Sequence, residues 1–161
     1  MDFKSLGDMA THFAMLPTVM AHELQEGLER CAVSIEKTAK DEIGHYQDAI
    51  GPFQDWAELA ESTKADRLSK GFTENDPGKR SGKMQESITH EVDGMEACIG
   101  SSDQNLVYFE FGTSKQPPRS VLGAAVIRNK SKIQRIIGHA AVSGLFGGQH
   151  VHSSLGYDDD L

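Results

Sequence analysis

The sequence predicts an α+β fold, and three observations carry that prediction. Apolar residues recur in steps of four broken by threes from Met20 onward. A period of two with a central Asp-Gly follows between Glu86 and Ile99. A second helical face then begins after Ser120. The expected architecture is a long N-terminal helix, a small antiparallel β-meander of three to four strands, a C-terminal helix packed on the sheet, and a flexible tail. A chain of 161 residues is the size of a single domain with an adequate core.

Residues 1–18 are read as an N-terminal arm. The long helix is placed over 19–50, with Met20, Leu24, Leu28, Cys31, Ile35, Ala39, Ile43, Tyr46 and Ile50 along its apolar face. Gln25, Glu26, Glu29, Glu36, Lys37, Lys40 and Asp41 lie opposite. Gly27 and Gly44 weaken it by about 1 kcal/mol each relative to alanine, and Gly51-Pro52 is the expected stop. At about 1.5 Å per residue the helix would run roughly 45 Å, more than so small a domain covers, so part of it is expected to meet a partner.

Residues 51–85 read as a loop-rich insertion. WAELAESTKADRLSKG holds a short helix capped by Ser62 or Thr63, and GFTENDPGKRSGK has no periodicity and reads as a mobile loop. The region 86–143 holds the meander and the last helix. Strands are expected over Glu86–Val92, Met95–Ile99 and Leu106–Phe111, with Asp93-Gly94 as a hairpin turn. Ser120 is the expected cap of a helix whose apolar face is Leu122, Val126, Ile133, Ile136, Ile137 and Ala140, ending at Gly144. Residues 144–161 are glycine-rich with an acidic tip and read as a flexible tail that orders on a neighbour.

Composition narrows the function classes. Hydrophobic residues make up 38% and charged residues 25%, a soluble balance. No apolar run approaches the length that spans a bilayer, so no membrane partner is expected. MDFKSLGDMATHF lacks a basic segment followed by an apolar one, so no secretory signal is read. Cys31 and Cys98 are read as ordinary buried thiols rather than a disulfide framework. The net charge of −8 disfavours general DNA affinity, yet suits a wall past which DNA slides without sticking.

Candidate chemistry is sparse. GKRSGKM, Gly78 to Met84, is one residue short of a phosphate loop, puts Met84 where a hydroxyl would hold Mg²⁺, and follows no strand; it reads as a basic surface loop. His139, His150 and His152 offer imidazoles without metal-site spacing, so no metal is predicted. Glu110 with His90 or Asp103 is a conceivable acid–base pair, but strand alternation sets Val107, Phe109 and Phe111 on one face and Tyr108 and Glu110 on the other. On that reading Glu110 faces solvent or an interface, or pairs with Arg119. No nucleophile–base–orienter set is legible, so the chain is read as not an enzyme, with no cofactor and no catalytic residues.

The most specific stretch is YFEFGTSKQPPRSVLGAA, Tyr108 to Ala125. It is preceded by Gly82-Lys83-Met84-Gln85-Glu86-Ser87-Ile88 and, further upstream, by Trp56-Ala57-Glu58-Leu59 with Ser62-Thr63. In order and spacing these resemble the tail-completion, or head–tail joining, proteins of long-tailed bacteriophages and related virion-morphogenesis proteins, over roughly Trp56 to Ala141. Ser120-Val121 stands where many members have an apolar pair after the arginine, and Met84 where leucine is usual.

The resemblance implies a structural virion protein at the neck of the particle, made in the host cytoplasm. It implies a homo-oligomer, most simply a hexameric ring, between the head connector or stopper and the tail terminator or tail tube, with DNA passing through the lumen. A tail terminator or minor head protein is the nearest alternative, and a small metal-dependent hydrolase a more distant one. The expected interface is Tyr108, Glu110, Phe111, Gly112, Thr113, Lys115, Pro117, Pro118 and Arg119. Gly112 permits a sharp exit from the expected third strand. Pro117 and Pro118 stiffen the loop before it docks, which lowers the entropy lost on binding. Arg119 is expected to reach a carboxylate of the next subunit or Glu110 of its own chain.

Overall fold

The computed structural model describes residues 3–148 and has an α+β architecture. Its elements are α1 (Leu6–Glu42), α2 (Glu61–Ser69), α3 (Lys83–Glu86), β1 (Ile88–Asp93), β2 (Glu96–Ser101), α4 (Gln104–Phe111), α5 (Leu122–Arg128) and α6 (Lys130–Leu145). The sheet has two antiparallel strands, joined at Gly94 and Met95, rather than the three to four expected. The chain divides into two compact units. One comprises the residues up to Ala32, Val92–Ala97 and those from Ser131; the other comprises Val33–Glu91 and Cys98–Lys130.

The first unit corrects the expected N-terminal arm. The helix begins at Leu6, because the Ser5 hydroxyl accepts a hydrogen bond from Asp8 N at 3.0 Å and caps it. Pro17 lies inside the helix and removes one backbone donor without ending it. The N-terminal part of α1 runs antiparallel to α6. A Cβ on Gly27 would stand 3.0 Å from Ala140 Cβ, and one on Gly144 would stand 2.8 Å from Met20 Cα. Small residues at these crossings let the two backbones approach closely. Cys31, Ile136 and Ala140 are buried there, while Leu6, Phe13 and Met15 are exposed. The expected tail falls partly here: α6 continues to Leu145, and residues 149–161 lie outside the described part of the chain.

In the second unit α1 ends at Glu42, not at the expected Gly51-Pro52. Gly44 takes φ +102°, which leaves the helix, and its N–H donates to Pro77 O at 2.8 Å. The core gathers Ile35, Ala39, Ile43, Trp56, Met84, Ile88, Leu106, Phe109, Val121, Ala124 and Ala125. Trp56 packs edge-on against Phe109 with ring centroids 5.3 Å apart, and its Nε1 donates to Ser120 O at 3.2 Å. Asn129, buried at the break between α5 and α6, accepts from Ser34 Oγ and donates to Thr38 Oγ1, each at 2.8 Å. This break divides what the sequence suggested was one last helix.

Four local readings change. The stretch expected as a third strand is α4, in which Leu106 and Phe109, three residues apart, are buried, and Asp103 Oδ1 accepts from Asn105 N at 2.9 Å as its cap. Residues 71–82, most of the stretch expected to be mobile, form a tied loop. Buried Arg67 donates from Nε to Thr73 O and from Nη2 to Lys79 O, both at 2.6 Å, and Tyr46 Oη donates to Asn75 Oδ1 at 2.6 Å. Neither Ser62 nor Thr63 caps α2; its N-cap is Ala60, and Thr63 N and Lys64 N donate to Ala60 O. Cys98 is exposed, whereas Cys31 is buried as expected.

Candidate interface site

The elbow from Tyr108 to Arg119 is built where α4 stops and α5 has not begun. Gly112 ends α4 with φ +74° and ψ −178°. Thr113 and Gln116 then close a tight turn, with Thr113 N donating to Gln116 O at 2.8 Å and Gln116 N to Thr113 O at 3.3 Å. Pro117 and Pro118 carry the chain back, and Arg119 N donates to Phe109 O at 2.7 Å, satisfying a carbonyl at the end of α4.

Both ends of the elbow are held by charged side chains turned inward. The Glu110 carboxylate accepts from Ser120 Oγ at 2.5 Å, Val121 N at 2.6 Å, Leu122 N at 3.0 Å and Gly123 N at 3.1 Å. It therefore satisfies the free amides at the start of α5 from a distant position in the sequence, where negative charge is favoured. Arg119 is buried over the Phe109 ring, 5.6 Å from its centroid, and donates to Ala57 O and Glu58 O. Burial draws its pKa down from the ordinary guanidinium range. The expectation that Arg119 reaches Glu110 or a neighbour's carboxylate is thus corrected: its partners are backbone carbonyls of its own chain, and those of Glu110 are backbone amides and a serine.

The remaining predicted residues are displayed outward. Phe111 is 78% exposed and Tyr108 47%. Thr113, Lys115, Pro117 and Pro118 are also exposed, and Val107 adds apolar surface on the same helix. The conceivable acid–base pair is not assembled. His90 is bonded to Glu36, Asp103 caps α4, and Glu110 caps α5. No group of three potential metal ligands occurs among the described residues, and His150 and His152 lie outside them.

Sequence reading missed Glu42. It is 4% exposed; its Oε1 accepts from Arg128 Nε at 2.8 Å, and its Oε2 has no hydrogen-bond partner. Burial pushes its pKa up to about 7, against the pull of Arg128 and with a further upward push from Glu110. The signal was available, because Glu42 follows Ile35 and Ala39 at core register.

A folded-state pKa raised from 4.5 to about 7 means that the native chain retains a proton the unfolded chain has released. This contribution to stability is complete below 4.5 and is lost as pH rises through about 7. We expect Glu42→Gln to gain on the wild type by about 3 kcal/mol between pH 4.5 and pH 8. Urea unfolding at the two pH values measures the difference; a constant gap between the proteins refutes it.

No family model, curated protein or solved structure matches this chain. Among the described residues, no helix is long and apolar enough to cross a membrane.

Proposed function

We propose that this chain is a structural subunit that packs head to tail with copies of itself into a ring at the neck of a long-tailed phage particle. There it completes the tail and joins it to the head, with DNA passing through the lumen. The observation that carries this reading is the elbow: Glu110 and Arg119, two of its three charged side chains, are turned inward as struts, and Phe111, Tyr108, Lys115 and the two prolines are turned outward. Exposed aromatic residues on a preorganised support lose little entropy on docking and suit a central contact. The resemblance of EFGT and PPR, with the upstream segment, to tail-completion proteins supplies the setting. A ring follows when head-to-tail packing closes on itself, and a net charge of −8 per subunit suits a lumen that does not retain DNA.

The test separates folding from assembly. Phe111→Asp is expected to unfold in urea within about 0.5 kcal/mol of the wild type, since the ring is solvent-exposed. Particles assembled with that variant, or without the chain, are expected to accumulate finished heads and finished tails that remain unjoined in electron micrographs. Normal joined particles in either case would overturn the proposal.

A further inference from the structure

Two guanidinium groups in the second unit are buried without a counter-charge. Arg67 and Arg119 are 4% and 3% exposed. The acceptors of Arg67 are Thr73 O, Thr73 Oγ1 and Lys79 O, and those of Arg119 are Ala57 O and Glu58 O. Every one of these is neutral. Among the described residues, neither guanidinium comes within 4.0 Å of a carboxylate, and neither uses its Nη1 in a hydrogen bond. The Nη1 atoms are not sealed in: Glu42 Oε2 is the fully buried side-chain polar atom left without a partner among those residues.

Both arginines line one cavity of about 600 Å³. Arg80 and Lys83 lie on the same wall, and Asp103 is the acid facing these four cations. Asp103 is occupied by the cap of α4, and Arg80 is held by Asp66 at 2.7 Å. A chain of net charge −8 has thus gathered uncompensated positive charge in one concave place. Burying a charge with neutral acceptors alone leaves much of its desolvation uncompensated, and an arriving anion supplies the missing term. Guanidinium is also the side-chain group best matched to carboxylate and phosphate oxygens.

We propose that this cavity is an oxyanion site, which takes a carboxylate or phosphate group against Arg67 and Arg119, with Lys83 supplying a further donor. The apolar part of the wall, Met84 and Phe109, would seat the body that carries the anion. The inference does not depend on the ring.

The test uses the full chain, labelled with ¹⁵N and held at constant ionic strength in chloride. Inorganic phosphate is titrated in one arm and glutarate in the other, while arginine Nε–Hε resonances and the melting temperature are followed. The Arg67 and Arg119 resonances are expected to move saturably in at least one arm, and the melt to rise by about 3 °C at ten times the dissociation constant. Movement with phosphate alone assigns a phosphate ligand, and movement with glutarate alone a carboxylate. Lys83→Ala should weaken binding about tenfold with an unchanged melt in chloride, while Lys37→Ala, on the exposed face of α1, should not weaken it. No saturable movement in either arm overturns the site, as does equal binding by wild type and Lys83→Ala.

Discussion

Gly112→Ala is expected to cost about 4 kcal/mol of stability, a large fraction of what holds a domain of this size folded. At φ +74° and ψ −178° the residue occupies a backbone region open essentially to glycine, which alone costs roughly 1–3 kcal/mol for any other residue. The new Cβ would also meet Pro118 N at 2.7 Å, Gln116 O at 2.8 Å and Pro117 C at 3.1 Å. All three are backbone atoms, so no side-chain rotation relieves the overlap, and overpacking of this kind adds roughly 1–3 kcal/mol. Gly71→Ala is the matched control. Gly71 has φ +76°, yet a Cβ there meets nothing within 4 Å, so its loss should stay near 1 kcal/mol. Urea unfolding of the two variants separates strain from clash. Equal losses would mean that the end of α4 is not packed against the returning segment of Gln116, Pro117 and Pro118.

How much was legible depended on whether order came from periodicity or from distant hydrogen bonds. The register Ile35, Ala39, Ile43 is a repeating pattern, and its burial followed. The hairpin was marked by Asp93-Gly94, and its strands lie within two residues of their expected bounds. Leu106–Phe111 read as a strand, because five apolar residues among six, broken only by Glu110, satisfy either period. Asp103 as a helix cap was the local clue that decides it. The 71–83 loop looked mobile since its order comes from Arg67, whose bonds to Thr73 and Lys79 leave no compositional trace. The elbow was found by its sequence, but the roles within it were not. Glu110 and Arg119 look like exposed partners for each other, and only the fold brings Glu110 under α5 and Arg119 over Phe109.

Glu110→Ala is expected to cost about 4 kcal/mol, because it strips the partners from three backbone amides and the Ser120 hydroxyl in one step. Hydrogen bonds to a charged acceptor contribute roughly 1.5–3 kcal/mol each, and water reaching the half-buried site recovers part of that sum. Glu110→Gln keeps the shape but turns an amide nitrogen toward amide donors, so about half the loss should remain. The damage should also be local before it is global. Amide exchange at Val121, Leu122 and Gly123 should quicken in both variants, while that of Ile35 and Ala39 should track overall stability. The consequence reaches the aromatic pair, because Ser120 also accepts from Trp56 Nε1, and Trp56 packs on Phe109. Freeing the start of α5 should therefore loosen the support beneath Arg119 and blunt the elbow without touching its exposed tip. If Glu110→Gln instead proves as stable as the wild type with unchanged exchange at Val121–Gly123, then burial of Val121, Ala124 and Ala125 holds α5 by itself. The stiffness of the elbow would in that case rest on Gly112 and Arg119.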